Sequence, residues 1–444
     1  MSFRFRTISL QAVSLRQSPF AHVALSVTSA LSPQTWPFDL ALLPQSAHLV
    51  GGSVRDALLG RKADYLDLDF VLPEAAVETA RAIARHYRAG FVVLDAENQI
   101  ARVVFDHATV DFAQQVGDNL EADLHRRDFT VNAIAYHPHT EQVFDPLGGC
   151  DDLKRKVLRM VAADNLADDP LRLLRAYRQA AQLGFALDPQ TRDTIHQLAP
   201  LLKNVAAERV RGEIDCLLSH PDGTPLLKRA WEDGVLQTWL PQLNLAQIQQ
   251  LEAVDAAARQ CQQHRPDWTP LLHRWLKEQT PPGFHRSWFK AAKLSQILSE
   301  NLAEAEAEMV HFKYSRAEQQ AVLAMLRAWP LLAAIAAGND APRQQYALFK
   351  AAGQSFIGLV LIAIAHQVSL AQLQPLIDRF LNPEDPVAHP HPLISGRDLM
   401  RHLQLRPGPH VGELLAAVEL AHAEGIISTP EDAIAWVAQQ HRTP

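Results

Sequence analysis

The hydrophobic pattern of this chain changes its period once, and that change limits the folds open to it. Between residues 36 and 159, short apolar runs alternate with a helical stretch at 75–87; the runs are 48–50, 66–72, 91–94, 101–105 and 109–112. Beyond Asp168 helix follows helix, with breaks expected near Pro200, Pro221, Pro241, Pro281, Pro330 and Pro342. The pattern predicts the α+β class, with a small mixed sheet and its helices followed by an all-helical part.

The same change of pattern sets the predicted domain boundaries. Residues 1–35 are expected to be a flexible extension or the product of a misassigned start, because residues 1–38 contain three arginines and no acidic residue. Residues 36–159 are predicted to form the head and 160–220 a helical neck. Residues 221–381 follow as a helical body, and a proline-rich linker at 382–392 opens a helical tail that runs to residue 444.

Charge and cysteine content exclude several classes of protein. The 42 basic and 49 acidic residues give a net charge of −7, which excludes a uniformly basic nucleic-acid coat but permits a local basic groove. Cys150, Cys216 and Cys261 lie far apart without CxxC spacing, so a zinc site or a disulfide framework is not expected. The longest apolar stretch, 356–365, is too short to span a bilayer. A reducing, cytoplasmic location away from membranes is the expectation.

Two aspartates on one predicted strand carry the sharpest chemical signal. In the run YLDLDFV, Asp67 and Asp69 are two residues apart and therefore share a face, while Leu68 points to the other side. Neighbouring carboxylates repel each other unless a cation lies between them, and Mg²⁺ prefers oxygen ligands. The pattern also fits an edge strand with two solvated aspartates, and these residues alone leave both interpretations open.

Residues near this strand extend the candidate site. The segment LVGGSVRD predicts a strand, a Gly-Gly turn and a helix start, a form that lets backbone N–H groups approach phosphates. The segment lacks the Gly-Lys-Ser/Thr of a P-loop, so P-loop chemistry is not expected. Asp111, on a later strand, is a candidate third carboxylate, although a surface aspartate would have the same sequence signature.

Six segments taken in order resemble one family. They are LVGGSVRDALLGR (49–61), the Asp67-x-Asp69 strand, RRDFTVNAIA (126–135), DPLGGCDDL (145–153), DDPLRLLRAYR (168–178) and AERVRGE (207–213). The set is similar to the bacterial-type tRNA nucleotidyltransferases and poly(A) polymerases, whose head is of the polymerase-β-like nucleotidyltransferase type. The resemblance covers roughly residues 49–218, and 393–399 also resembles the C-terminal region of that family.

The resemblance implies a reaction and a set of site residues. Asp67 and Asp69 would be the catalytic residues and would bind Mg²⁺, with Asp111 as a third ligand, while an RNA 3′-hydroxyl attacks a nucleotide α-phosphate. Pyrophosphate would leave. The triphosphate would be held by Gly52, Ser53, Arg55 and Arg127.

The resemblance also implies an amino-acid template for the incoming base. Asp169 would accept from the amino group of cytosine or adenine, and Arg172 would donate to the ring nitrogen. Uracil and guanine present the opposite polarity at these positions and would be rejected. Arg175 and Arg178 continue a basic stripe along a helix for which Asp169 is the predicted N-cap, and both are expected to bind the nucleotide as well. Asp168 stands where the family usually has Glu, which keeps the charge and shortens the side chain.

The interval before the Arg-Arg-Asp segment bears on which family member this is. Only the 13 residues 113–125 separate Phe112 from Arg126, and AQQVGDNLEADLH lacks the basic and aromatic loop of enzymes that complete CCA. The expected activity is therefore addition of CC to tRNA from CTP. Full CCA addition with CTP and ATP is the alternative, followed by A addition and poly(A) synthesis.

The expected partner is tRNA, bound through its acceptor arm and 3′ end, with no protein partner indicated. Candidate contacts to the RNA backbone are Arg209, Arg211 and the cluster 154–156. A catalytically inactive RNA-binding scaffold is the alternative from another class. The retained pair Asp67 and Asp69 argues against it, because two close carboxylates without a metal cost repulsion.

Overall fold

A computed structural model of the chain describes residues 7–8, 31–61, 65–273 and 286–440. The contacts divide it into two compact units. The first unit contains Met1–Val205 and Arg229–Thr238, and the second contains Ala206–Lys228 and Trp239–Pro444. The predicted boundaries between head, neck, body and tail stay predictions.

An eight-stranded mixed sheet organises the first unit. Its strands are β1 (Thr7–Ile8), β2 (His48–Val50), β3 (Leu66–Leu72), β4 (Gly90–Asp95), β5 (Ile100–Phe105), β6 (Ala108–Gln114), β7 (Ala135–His137) and β8 (Gln142–Phe144). The strand order is β1-β8-β7-β2-β3-β6-β5-β4. The central β3–β6 pair is parallel, and the other pairs are antiparallel. A separate two-stranded sheet joins β9 (Val157–Leu158) to β10 (Ala186–Leu187) in parallel.

Helices complete the first unit. They are α1 (Gly52–Leu58), α2 (Ala76–Tyr87), α3 (Leu120–His125), α4 (Gly149–Arg155), α5 (Ala163–Asp168), α6 (Leu171–Leu183) and α7 (Pro189–Leu198). Short 3₁₀ turns lie at Pro33–Thr35, Leu40–Leu42, Thr130–Asn132 and Ala199–Asn204. Helix α2 packs against β4, β5 and β6 and covers one face of the sheet.

The covered face of the sheet contains an aromatic core. Phe70 on β3 stacks on Phe112 of β6 with ring centroids 5.5 Å apart, and Trp36 meets Phe70 edge-on at 5.2 Å. Leu31 is buried as well, so the described part of the predicted extension, 31–35, packs rather than extends freely. Thr7–Ile8 also pairs with β8, and the rest of residues 1–35 lies outside the described residues.

The second unit is helical throughout its described part. Its helices are α8 (Ala207–Ser219), α9 (Gly223–Glu232), α10 (Leu245–His264), α11 (Thr269–Leu272), α12 (Trp288–Ile297), α13 (Leu302–His311), α14 (Arg316–Ala336), α15 (Pro342–Ala352), α16 (Phe356–Ala365), α17 (Leu370–Leu381), α18 (Gly396–Leu403), α19 (Pro409–Ala423) and α20 (Pro430–Gln440), with a 3₁₀ turn at Gly353–Ser355. Most of α9 belongs to this unit, and its last turn belongs to the first unit. The described architecture confirms the predicted α+β class.

Helix α16 forms the centre of this unit. All ten of its residues are buried, and it packs against α10, α12 and α14. By length and composition, segments 316–336 and 342–365 could cross a membrane, but 72% of the second window is buried inside the protein, as expected of a core helix. The predicted break near Pro330 is wrong, because α14 continues through it. Buried residues on both sides, Met325 and Leu332 among them, keep the face of α14 packed across the proline.

Candidate active site

The predicted carboxylate pair lies at the centre of the sheet face opposite the aromatic core. Asp67 and Asp69 lie on β3, directly opposite Thr109 and Asp111 of β6 in the parallel register. The hydroxyl of Thr109 donates to Asp67 Oδ1 at 2.6 Å, which fixes the orientation of that carboxylate. Burial and the nearby carboxylates of Asp67 and Asp111 raise the pKa of Asp69 to about 7. The two aspartates therefore share one face, as predicted, at an electrostatic cost.

Gly51 and Arg127 lie against this pair. Gly51 follows β2 and precedes α1 with a φ of +78°, a conformation that glycine adopts without strain. A Cβ at position 51 would lie 3.3 Å from Asp69 Oδ2 and 3.5 Å from Arg127 Nη1. Arg127 donates to Asp123 at 3.2 Å, and its buried Nε makes no hydrogen bond among the described residues. The Gly-Gly turn and the Arg-Arg-Asp segment thus meet beside Asp69.

The predicted phosphate-binding turn opens helix α1. Gly52 and Ser53 form its first turn, and the Ser53 hydroxyl donates to the Val50 carbonyl at 3.3 Å. Arg55 donates to Asp56 through Nε and Nη2, both at 2.9 Å, and through Nη1 to Asn132 at 2.7 Å. These contacts hold Arg55 beside the turn and join it to the segment that follows Asp128.

A buried network joins the Arg-Arg-Asp segment to α6. Arg175 donates to Asp128 Oδ2 through Nε and Nη2, at 3.1 and 3.0 Å. Asn132 donates to Asp128 Oδ1 and to Gln179 Oε1, both at 2.9 Å. Burial alone would raise the pKa of Asp128, but Arg175 and the hydrogen bonds from Asn132 and the Phe129 amide lower it below its usual value. The network fixes the face of α6 that carries the predicted template.

The predicted template residues lie at the start of α6. Arg172 Nη1 donates to the carbonyls of Arg126 and Asn165, at 2.8 and 3.1 Å, and Arg172 Nε lies 4.0 Å from Asp169 Oδ2. The predicted N-cap is wrong by one position: α6 begins at Leu171 with Pro170 as its N-cap residue. Helix α5 ends at Asp168, and Asp169 is its C-cap residue. Asp169 therefore belongs to the connection between α5 and α6. Arg178 donates to Gln182 one turn further along α6.

The donor set at β3 fits a hard divalent cation that also binds a substrate. Asp67 and Asp69 supply carboxylate oxygens from one face. Burial first, and then repulsion from Asp67 and Asp111, raises the pKa of Asp69, and a bound cation would favour its charged form. Among the residues that the structure describes, no three His, Cys, Asp or Glu side chains form a metal-binding group. Arg102 binds Asp111 through Nε and Nη2, both at 2.7 Å. Asp111 as a third ligand stays a prediction.

Sequence reasoning missed several polar residues of the site. Thr109 precedes Asp111 by two positions, as Asp67 precedes Asp69. If β3 and β6 had been assumed to pair in parallel with Asp69 opposite Asp111, Thr109 would have been predicted opposite Asp67. Arg102 becomes visible only with the antiparallel register of β5 and β6. Asn132 and Gln179 each lie four residues beyond a network partner, Asp128 and Arg175, but that spacing alone marks no site.

Three family models match successive parts of the chain. The model described as "Poly A polymerase head domain" matches residues 47–159. A model for an RNA-binding site of polymerase A matches residues 184–246, and one for a second domain of tRNA nucleotidyltransferase matches residues 285–438. Together they account for both the sheet and the helical part.

Curated relatives match along nearly the whole chain. A CC-adding tRNA nucleotidyltransferase of Synechocystis is 47% identical over 408 residues, covering 91% of this chain and 96% of the relative. An A-adding tRNA nucleotidyltransferase of Deinococcus radiodurans is 35% identical, covering 89% of this chain and 95% of the relative.

Among solved structures, a CCA-adding enzyme in complex with CTP shares the fold, with a TM-score of 0.72 and 21% identity, covering 95% of this chain and 99% of that one. The carboxylate pair and the turn beside it occur here together with helix α6, which is joined to them through the Arg-Arg-Asp segment, and the sequence matches extend from that site to the tail. The chain therefore belongs to the tRNA nucleotidyltransferase family, a family of enzymes.

Proposed function

We propose that the protein adds two cytidines to the 3′ end of tRNA from CTP, without a nucleic-acid template, and releases pyrophosphate. The relative from Synechocystis, named as a CC-adding enzyme, supports this assignment. The observation that carries the restriction to CC is the short, fixed connection between β6 and α3. Full CCA addition is the second candidate, since CCA-adding enzymes of Streptococcus suis are also relatives, at 30% identity.

The connection contains only residues 115–119, because β6 ends at Gln114 and α3 begins at Leu120. The Gln115 amide donates to the Leu72 carbonyl at 2.7 Å, and the Val116 amide donates to Asp123 at 3.1 Å. A Cβ at Gly117 would lie 2.8 Å from that of Ala122, so this turn packs directly on α3. Such a connection has little freedom to reshape the base pocket from cytosine to adenine.

Asp67 and Asp69 are proposed to hold Mg²⁺ and to be the catalytic residues. When bound, the ion would activate the RNA 3′-hydroxyl and stabilise negative charge on the leaving pyrophosphate. The Thr109 hydroxyl keeps Asp67 oriented. Because Gly51 has no side chain, the space beside Asp69 Oδ2 stays open. These residues define where the α-phosphate must lie for attack.

Gly52, Ser53, Arg55 and Arg127 are proposed to bind the triphosphate. The buried Nε of Arg127 lacks a partner among the described residues, so a phosphate oxygen would complete its hydrogen bonding. Arg55 lies beside the Gly-Gly turn, held there by Asp56 and Asn132. Both arginines are thus placed by carboxylates or amides before the anion arrives.

Asp169 and Arg172 are proposed to select the base. Arg172 is anchored by two backbone carbonyls through Nη1, and its Nε lies 4.0 Å from Asp169 Oδ2. Arg175 and Arg178 were predicted to bind the nucleotide as well. The tie of Arg175 to Asp128 favours a positioning role for that residue.

The substrate RNA is proposed to be tRNA, gripped through its acceptor arm, with the protein working in the cytoplasm. A CCA-adding enzyme of Thermotoga maritima with the same fold was solved in complex with tRNA, at a TM-score of 0.69. The head, neck, body and tail boundaries at 36, 160, 221 and 382 are retained as a proposal for the division of labour along the chain.

The test is incubation of purified protein with tRNA ending at the discriminator base, with each NTP alone and with all four together. CTP should be incorporated twice, and ATP should not extend the product. Sequencing of the 3′ ends would overturn the CC proposal if efficient CCA ends appeared. Absence of any addition by wild-type protein, matched by an Asp67→Ala control, would favour the RNA-binding scaffold instead.

A further inference from the structure

A row of side chains crosses the carboxylate face of the sheet at one register. Asp69 lies opposite Asp111, Asp111 opposite Arg102, and Arg102 opposite Val92 on β4. Directly opposite residues in adjacent strands project from the same face. The row therefore leads from the catalytic carboxylates to the edge of the sheet.

Where this row reaches the edge of the sheet, two exposed valines flank Arg102. Val92 is 49% exposed and Val104, two residues beyond Arg102 on the same face, is 39% exposed. Gly90 lies opposite Val104, so no side chain of β4 covers that valine. The other face of these strands is different, since α2 packs there and Arg81 of α2 lies 5.4 Å above the Phe91 ring. We call Val92, Arg102 and Val104 the β4–β5 platform.

Asp111 holds the arginine of the platform in a fixed orientation. Arg102 donates two hydrogen bonds to Asp111, from Nε to Oδ1 and from Nη2 to Oδ2. A guanidinium has five N–H donors, and Nη1 makes no hydrogen bond to the described residues. The remaining donors can bind an anionic oxygen, and Asp111 draws the guanidinium towards β6, one strand from β3.

The geometry of in-line displacement indicates which of the two substrates, the RNA or the nucleotide, lies at the platform. The triphosphate is proposed to lie on the β2 side of Asp69, near Gly52 and Arg127. The attacking oxygen must approach phosphorus opposite the leaving pyrophosphate, which is the side of β6, β5 and β4. This inference therefore rests on the proposed function, and it concerns the RNA substrate rather than the nucleotide.

We propose that the β4–β5 platform binds the 3′-terminal nucleotide of the RNA primer. Arg102 donates to the phosphate of that nucleotide, and its ribose or base packs on Val92 and Val104. Asp111 is then a positioning residue for Arg102. A cation oriented by a partly buried carboxylate and flanked by exposed apolar side chains is a suitable surface for one nucleotide of a single strand.

The first test compares removal of a charge at two positions. Arg102→Gln should weaken binding of an acceptor hairpin ending at the discriminator base by about tenfold, measured by fluorescence anisotropy in EDTA. It should also reduce the slope of log K against log salt by about 0.7, the value for one phosphate of a single strand. Arg85→Gln is the matched control, because Arg85 is exposed on α2, across the sheet, and should change neither quantity.

The second test uses two valines of the same strand. Val92 and Val93 are both exposed, at 49% and 40%, but project from opposite faces of β4. Val92→Glu should raise the KM for tRNA at least fivefold with less than a twofold change in the KM for CTP. Val93→Glu should leave both values unchanged. Thermal unfolding of each variant establishes that it is folded before the kinetic comparison.

The role of Asp111 has its own readout. Asp111→Asn should weaken hairpin binding in EDTA as Arg102→Gln does, and the double variant should be no weaker than either single variant. The increase in Tm on adding Mg²⁺ should stay at the wild-type value in Asp111→Asn. A lost Mg²⁺ effect with unchanged RNA binding would instead make Asp111 a metal ligand and overturn its positioning role.

The outcomes separate this inference from the proposed function. If wild-type protein extends tRNA but Arg102→Gln and Val92→Glu behave like their controls, the platform does not bind the primer. A rise in the KM for CTP rather than for tRNA would also overturn it, because Arg102 would then belong to the nucleotide site. Failure of the wild-type protein to extend any RNA would overturn the proposed function itself.

Discussion

Arg175 of helix α6, itself partly exposed, and the buried Asp128 form an ion pair with two hydrogen bonds, in which Nε and Nη2 of the arginine lie 3.1 and 3.0 Å from one carboxylate oxygen. The pair joins the segment that carries Arg127 to the helix that carries Arg172. Since Arg127 lies beside Asp69 and Arg172 is a proposed template residue, one contact aligns the two parts of the site. Its integrity should therefore affect both stability and catalysis.

Loss of one partner of this pair should be destabilising. Asp128→Asn leaves Arg175, whose side chain is 36% exposed, without its carboxylate, and since water can solvate that charge in part we expect a loss of about 1–3 kcal/mol in the free energy of unfolding. Urea denaturation at pH 7 measures it. Asp151→Asn is the control, because its pair with Lys154 is exposed, and a change below about 1 kcal/mol is expected. Equal stability of Asp128→Asn and wild type would contradict the assignment.

The contribution of Asp128 to the stability of the folded protein should also depend on pH. Its pKa is lower in the folded protein than the usual value of about 3.9, so the folded state favours the charged form. The resulting stability is present above pH 4 and is lost as pH falls through the lowered pKa. The difference in Tm between wild type and Asp128→Asn should therefore be constant from pH 7 to pH 5 and narrow below pH 4. A difference that widens in acid would have the wrong sign.

Removal of either proposed catalytic carboxylate should abolish nucleotide addition without unfolding the protein. Asp67→Ala and Asp69→Ala each remove a proposed Mg²⁺ ligand, and Asp67 is exposed, so its loss should leave the Tm within about 2 °C of wild type. For Asp69 the removal of repulsion should leave the Tm unchanged or raise it. Incorporation of labelled CTP with Mg²⁺ as the only divalent cation measures the activity. Turnover retained in both variants would refute their catalytic role.

Changes at the proposed template should affect base choice more than triphosphate binding. In Asp169→Ala or Arg172→Ala, the discrimination between CTP and UTP should fall at least tenfold, or ~1.4 kcal/mol. The KM for pyrophosphate in the reverse reaction should change little. Competition assays with mixed NTPs measure the ratio of CTP to UTP incorporation. Arg178→Ala, six residues beyond Arg172 on α6, provides a comparison within the same helix. Strict selection of C in both template variants would show that these residues serve only packing or phosphate binding.

A longer connection between Phe112 and Leu124 should restore addition of A. The present connection is held by the amides of Gln115 and Val116, so the template has no flexible element to move it when adenine arrives. A base misplaced by about 1 Å can lower the rate a hundredfold. Grafting the full-length loop of a CCA-adding relative should give CCA ends in product sequencing. A Gly/Ser insertion of equal length is the control, and CCA ends from that control as well would assign the effect to flexibility alone.

The α+β class and the relation of Asp67 to Asp69 followed from the sequence, and both are confirmed as structure. Strand alternation has a period of two that is local to the chain, so the shared face needed no knowledge of neighbouring strands. The strands at 66–72 and 100–105 were found within one residue for the same reason. The catalytic roles themselves stay predictions.

Elements without local periodicity were missed. Strands β7 and β8 contain three residues each and are strands only because β7 pairs with β2 and β8, and β8 pairs with β7 and β1. Likewise, Pro330 looked like a helix break, since a proline removes one backbone hydrogen bond, but the packing of α14 outweighs that local cost.

The sequence by itself determined the alternation of the sheet strands, the helical character of the rest and the residue types available for phosphate chemistry. Only the tertiary structure decided which of these residues meet. The parallel register of β3 and β6 places Thr109 on Asp67, the register of β5 brings Arg102 to Asp111, and the approach of α6 joins Arg175 to Asp128. Each contact links positions between 9 and 47 residues apart, and such pairings depend on the burial of whole elements, which no local pattern encodes.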